Sequence, residues 1–162
     1  MSLQIFVTGG TFDKKYNEID GTLAFGQTHI TELLQLGRCQ LPLNIKTLMM
    51  VDSLDMTATH RQQILEQCLA TKAQRIVITH GTDTMVETAK LLGEQVADKT
   101  IVLTGAMIPF TFGSSDGLFN MGCALAFVQT LPAGTYVAMN GRYFHWNQVR
   151  KNRSLGRFEE KP

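Results

Sequence analysis

Five short polar stretches hold the residue types that could do chemistry. Thr8-Gly9-Gly10-Thr11 sets a hydroxyl behind two glycines, and His80-Gly81-Thr82-Asp83-Thr84 gathers three hydroxyl or carboxylate side chains in a row. Asp52-Ser53-Leu54-Asp55-Met56, Thr104-Gly105-Ala106-Met107 and Asn140-Gly141 complete the set. A threonine hydroxyl is a poor nucleophile until a neighbouring base takes its proton. A lysine serves as that base only where its pKa falls, and an adjacent carboxylate opposes the fall while fixing its orientation. Glycines at 9 and 10 permit a sharp turn, with backbone N–H groups left to face a ligand. Hydroxyls, a carboxylate and free backbone donors suit acyl transfer, with the donors receiving the oxyanion.

Each stretch ends a short apolar run, and these runs are the elements that must position it. Residues 3–8, 44–51, the run from Ile76, 100–104 and 135–139 read as five short apolar strands, the Ile76 run as a buried one. Between them come helical patterns. Residues 28–36 show an apolar stripe of Ile30, Leu33, Leu34 and Leu36, stopped by Gly37. A second helix, capped by Thr57 or Thr59, runs towards Lys72 with Ile64, Leu65, Cys68 and Leu69 at helical spacing. A third covers about 83–94, capped by Asp83 or Thr84 with Glu87 in its first turn, and a fourth starts at Asp116 or Gly117 and reaches Gln129. Asp20-Gly21 suggests a hairpin turn. Beyond Gly141 periodicity fades into a basic end with Arg142, Arg150, Lys151, Arg153 and Arg157, which reads as a solvated tail. The alternation predicts an α/β fold: three α/β/α layers around a mainly parallel sheet, Rossmann- or flavodoxin-like. A parallel sheet brings all its strand ends to one edge, where ligands bind.

At 162 residues the chain is most simply a single domain, 1–162, large enough to bury a core. Hydrophobic content of 44% and charged content of 18% are those of a globular protein, and a net charge of +1 gives no reason to expect nucleic acid or an anionic membrane. Cys39, Cys68 and Cys123 are too widely spaced for a metal motif and odd in number for a disulfide framework. No run reaches membrane-spanning length and the first residues lack a secretion signal, so the expected location is cytoplasmic.

Structural readings compete with the chemical ones. Gly-Gly marks turns, Thr82 and Asp83 are good helix caps, and Asp52-Ser53-Leu54-Asp55 suits a cap and turn. His80 has no partner histidine at metal-binding spacing. The first turn reads GGTF and not G-x-G-x-x-G, which argues against a dinucleotide site.

Taken in order, the stretches resemble the bacterial-type L-asparaginase (asparaginase/glutaminase) family. Thr8–Thr11 is similar to its TGGT signature, and His80–Thr84 with Glu87-Thr88-Ala89 to its HGTDT signature. Residues 52–56, Thr104–Met107 and Ser115-Asp116-Gly117-Leu118-Phe119-Asn120 resemble three further family segments. The resemblance implies the fold of the family's N-terminal domain and hydrolysis of a small carboxamide, such as asparagine, through a threonine acyl-enzyme. It implies Thr11 as nucleophile, with Thr82, Asp83 and Lys151 as a second catalytic group. It places Ser53 on the substrate α-carboxylate and Asp83 also on the α-amino group, with Gly10, Gly81 and Ala106 lining the site. Tyr16 matches the tyrosine of a mobile covering loop. The chemistry implied needs no metal or organic cofactor.

The family's chains are about twice this long, and the expectation is a chain without their second, smaller domain. Leu54 and Ile108 stand where the family commonly has a polar residue and an arginine, and Asn140-Gly141-Arg142 replaces a more acidic stretch. The resulting expectation is a cytoplasmic asparaginase-like amidohydrolase that assembles as a homodimer or homotetramer. The partner is a small amide, without nucleic acid or membrane. The alternatives are a non-catalytic domain binding a small ligand, and a structural homo-oligomeric domain.

Overall fold

The computed structural model describes residues 2–162. Its centre is a six-stranded sheet of β1 (Leu3–Gly9), β4 (Leu43–Val51), β5 (Arg75–Thr79), β6 (Thr100–Thr104), β7 (Gly134–Met139) and β8 (Arg142–His145). Their spatial order is β4-β1-β5-β6-β7-β8, parallel throughout except for β8. The alternation of side chains along each strand divides the core in two. Phe6, Ile76, Ile78, Ile101, Leu103, Val137 and Met139 face one layer, built on α2 (Ala58–Ala70) and α3 (Met85–Gln95). Leu3, Ile5, Val7, Val77, Val102, Tyr136 and Ala138 face the other, built on α1 (Ile30–Leu36) and α4 (Gly117–Thr130).

The strand order turns back on itself between β1 and β5. The chain goes from β1 outward to β4, then crosses to β5 on the other side of β1. At such a switch point the connecting loops diverge to opposite faces and leave a crevice at the strand ends, the usual ligand position in open α/β sheets. The loops flanking this crevice are residues 10–11 and 80–84.

Helix ends follow the sequence in part. Thr57 caps α2 through a reciprocal pair, its hydroxyl accepting from His60 N and His60 Nδ1 accepting from Thr57 N. The far end of α2 is closed by Lys99, whose buried ammonium donates to Cys68 O at 2.8 Å and to Thr71 O. A cation on unpaired carbonyls at a helix C-terminus is favourable for both hydrogen bonding and the helix dipole. The expected side-chain cap of α3 is not made. Thr84 occupies the cap position, but its hydroxyl donates to Ser53 O at 2.8 Å and Ser53 Oγ accepts from Thr84 N. The hydroxyl is engaged by a neighbouring loop and ties the two together.

The segment after Gly141 is not a tail. It forms β8, antiparallel to β7, and then a hairpin of β9 (Val149–Asn152) and β10 (Arg157–Glu160). Phe144, Val149 and Phe158 anchor it in the core layer of α2 and α3. Three apolar residues spread among charges are enough to bury this segment, yet too few to show a period. A second hairpin, β2 (Lys14–Asn17) with β3 (Thr22–Phe25), turns at Gly21 with φ +73° as the Asp20-Gly21 pair predicts.

Candidate active site at the switch point

Gly10 and Gly81 bring the two crevice loops together. Gly10 has φ +85°, and a β-carbon added to it would lie 2.5 Å from Gly81 Cα. Gly81 in turn leaves no room for a β-carbon against Ser53, whose Cβ would be 2.6 Å away. The Thr8–Thr11, Asp52–Met56 and His80–Thr84 loops are therefore stacked through glycines, which is why the hydroxyl-bearing residues share one surface. Gly105 packs in the same way against the His80 carbonyl and adds the fourth loop, with Ala106 buried beside it.

Thr82, Asp83 and Lys151 meet. Lys151 Nζ donates to Thr82 Oγ1 and to Asp83 Oδ1, each at 2.8 Å. Thr82 is buried, and the Lys151 side chain is only 10% exposed. The β9–β10 hairpin delivers Lys151 to a loop 68 residues earlier in the chain. Thr11 sits in the short 3₁₀ turn Thr11–Asp13 directly after Gly10. No hydrogen bond links it to the other three among the described residues. Ser53 is buried with its hydroxyl on Thr84 N. Tyr16 is 59% exposed on β2, its hydroxyl near Gly21 at the turn of the hairpin and not at the cluster.

His80 is fully buried beneath the cluster. Its Nδ1 lies 2.7 Å from Gly81 O, and a carbonyl can only accept, so Nδ1 carries the proton. Nε2 then accepts from Thr88 Oγ1 at 2.7 Å, and Arg61 Nε donates to the same hydroxyl at 3.2 Å. Burial pushes the ring pKa down to about 4, and the Arg61 charge adds to the fall although the Gly81 bond opposes it. The imidazole is neutral, a fixed strut and not a proton carrier.

The remaining polar groups brace the loops. Lys14 pairs with Asp52, and that hydrogen bond holds the Asp52 carboxyl below its usual range. Asp13 is fully buried and accepts from Thr28 Oγ1 at 2.9 Å and His29 N at 2.7 Å, fastening the base of the β2–β3 hairpin. Burial pushes its carboxyl up in spite of those donors. Asp116 accepts from the N–H groups of Met107 and Ile108, while buried Asn120 donates to Gly105 O and accepts from Asn140 N. The β6 and β7 loops are thereby locked to the start of α4.

Among the described residues no group of three or more His, Cys, Asp or Glu side chains could hold a metal ion. A groove of about 390 Å³ between α1 and residues 110–115 has Glu32 as its one charged lining residue and none of the cluster. Catalytic residue types therefore concentrate on the strand-end shelf, where Lys151 joins a hydroxyl and a carboxylate.

The model of the asparaginase N-terminal domain matches residues 2–158. The chain belongs to the asparaginase family. The L-asparaginase of Thermococcus kodakarensis is 41% identical over 83 residues, half of this chain and 25% of that protein. The probable periplasmic L-asparaginase of Haemophilus influenzae is 33% identical over 162 residues, 93% of this chain and 46% of that one. Among solved structures, the thermostable Thermococcus kodakarensis asparaginase superposes with a TM-score of 0.84 at 30% identity, over 99% of this chain and 51% of its own. The probable cytoplasmic asparaginase of Campylobacter jejuni gives 0.83 at 30% identity, over 98% and 52%. The chain thus spans about half the length, or less, of these asparaginases, aligned on their N-terminal halves.

Sequence reading assigns no site role to Lys14, Asp116, Asn120 or Arg153. Asn120 lies within a stretch noted for its resemblance, which was the available signal. Lys14 and Arg153 act across 38 and 70 residues of sequence, and nothing local marks them.

Proposed function

We propose that this chain is an amidohydrolase that converts a small carboxamide, L-asparagine or a relative of it, to the acid and ammonia. The observation that carries the reading is the Lys151 ammonium bridging Thr82 and Asp83, on a loop in backbone contact with the glycine preceding Thr11. The Thr11 hydroxyl adds to the amide carbon, and its proton reaches the departing nitrogen through the Thr82–Lys151 pair. Ammonia leaves an acyl-Thr11 ester. Water held by Thr82 then adds to the ester carbon, the acid departs, and the proton returns to Thr11 oxygen. Asp83 fixes Lys151, Ser53 and Asp83 hold the polar end of the substrate, and Gly10, Gly81 and Ala106 shape the floor. Tyr16 closes over the site when the β2–β3 hairpin moves. The scheme uses no metal or organic cofactor.

The same proposal extends to assembly and location. Leu54, Met107, Ile108 and Leu155 expose apolar surface on the loops at the strand ends, which a second copy in a homodimer or homotetramer would cover. Light scattering at micromolar concentration measures this directly, and a monomer overturns it. The three free cysteines fit a reducing compartment such as the cytoplasm. Among the described residues, no helix is long and apolar enough to cross a membrane.

An ammonia-release screen over asparagine, glutamine, simple aliphatic amides and peptidyl amides tests the activity, with hydroxylamine added to divert the acyl-enzyme. Release with hydroxamate formation is the expected result. Tight retention of an amino acid without ammonia makes the chain a binding protein instead, and neither leaves a structural domain.

A further inference from the structure

The carboxylates on the site loops are largely committed. Asp52 is paired with Lys14, and Asp83 Oδ1 takes the Lys151 ammonium. Both oxygens of Asp116 accept from its own wall, from Met107 N, Ile108 N and Asn120 Nδ2. Arg153 adds a cation that no carboxylate balances. Its Nη2 donates to the main-chain oxygen of Asp83 at 3.3 Å, its side chain is exposed, and it has no acidic partner among the described residues. The turn that carries it, residues 153–156, joins β9 to β10 and reaches the opposite wall. A β-carbon added to Gly156 would lie 3.8 Å from Met107 Cε. Arg153 therefore stands over the Thr82-Asp83 loop with most of its guanidinium donors unused.

This placement bears on what the cleft accepts. A substrate ammonium entering beside Asp83 meets two cations, Lys151 and Arg153, while one oxygen of the Asp83 carboxylate is already engaged by Lys151. A substrate carboxylate meets a planar set of donors suited to bidentate pairing. We propose that Arg153 is a specificity-determining residue that selects amides carrying a carboxylate and no ammonium group, the ω-monoamides of dicarboxylic acids being the simplest class. This rests on the amidohydrolase reading above. The reaction is unchanged: the monoamide and water give the dicarboxylate and ammonium ion, and the carboxylate held by Arg153 does not react.

Succinamate and asparagine differ only by the ammonium group and supply the test. Ammonia release from each is measured as kcat/KM for the native chain, Arg153→Gln and Arg153→Lys, with thermal midpoints to confirm folding. The native chain is expected to prefer succinamate about tenfold, the worth of one charge-assisted contact. Arg153→Gln is expected to lose that preference, and Arg153→Lys, which keeps the charge without the planar fork, to keep only part of it. A native preference for asparagine, or a preference that Arg153→Gln leaves unmoved, overturns the proposal. Ammonia from neither amide, nor from any other, overturns the hydrolase reading separately. Calorimetric titration of succinate and aspartate into the Thr11→Ala protein then decides the selectivity without turnover. Tighter succinate, lost on adding Arg153→Gln, supports it, and equal or tighter aspartate overturns it.

Discussion

Gly10 rests on Gly81 with no space for a side chain on either, and this contact couples the Thr11 turn to the Thr82 loop. Gly10 also has φ +85°, a region that L residues enter at a cost. Gly10→Ala adds that strain to a clash with backbone that has no rotamer to change. Together they are expected to destabilise the fold by about 2–4 kcal/mol. Urea unfolding measures the loss, and ammonia release from folded protein should fall at least about tenfold as Thr11 is displaced.

Lys151 should separate activity from stability. Lys151 is nearly buried but the Asp83 carboxylate is 35% exposed and stays solvated when the pair is lost, so removing the pair costs about 1–2 kcal/mol. Lys151→Met keeps the aliphatic stem, so the thermal midpoint is expected to move little. The same change leaves Thr82 without the cation that hydrogen-bonds it, and kcat is expected to fall about a hundredfold or more. A variant that retains activity would remove Lys151 from the mechanism.

His80 predicts an acid limit to stability. Its folded pKa is about 4, below the unfolded value of 6.5, so the unfolded chain binds the extra proton first as pH falls. The stabilisation is complete above pH 6.5 and is lost between there and 4, by on the order of 3 kcal/mol at most. Asp13 acts the other way, its raised carboxyl pKa favouring the folded state as it protonates. NMR titration should show the His80 ring titrating near 4. A ring that titrates near 6.5 contradicts the buried Thr88–His80–Gly81 chain.

Gly93 sets helix propensity against packing. An alanine in mid-helix gains about 1 kcal/mol over glycine. In α3 its methyl would enter the ring of Trp146, which covers Gly93 from the β8–β9 connection. Overpacking of this kind costs about 1–3 kcal/mol, so Gly93→Ala is expected to lower the denaturation midpoint despite better propensity.

The sheet was legible because its inner strands are buried on both faces, and short uninterrupted runs such as Ile76–Thr79 and Ile101–Thr104 allow few alternatives. The glycines at 9, 10 and 81 could be recognised as turn residues. That they stack loop on loop follows only from the strand order, which no local pattern encodes. The end of the chain misled for a related reason. Val149 and Phe158 bury a hairpin that by composition alone reads as a solvated basic tail, so only the family resemblance points to Lys151, which pairs with Phe158 across β9 and β10. Thr84 looked like a helix cap because the competing partner, Ser53 O, lies 31 residues away.

Ammonia release by the native chain beside Thr11→Ala and Thr82→Val, on whichever amide it hydrolyses fastest, tests the central claim most directly. Both positions lie outside the sheet, and the substitutions remove the Thr11 hydroxyl and replace the Thr82 hydroxyl with a methyl, so thermal midpoints should stay close to native. Turnover is expected to drop to background in both variants. Equal turnover in Thr11→Ala or Thr82→Val, or no turnover in the native chain on any amide, would contradict the assignment of amide hydrolysis to the Thr11–Thr82–Lys151 cluster.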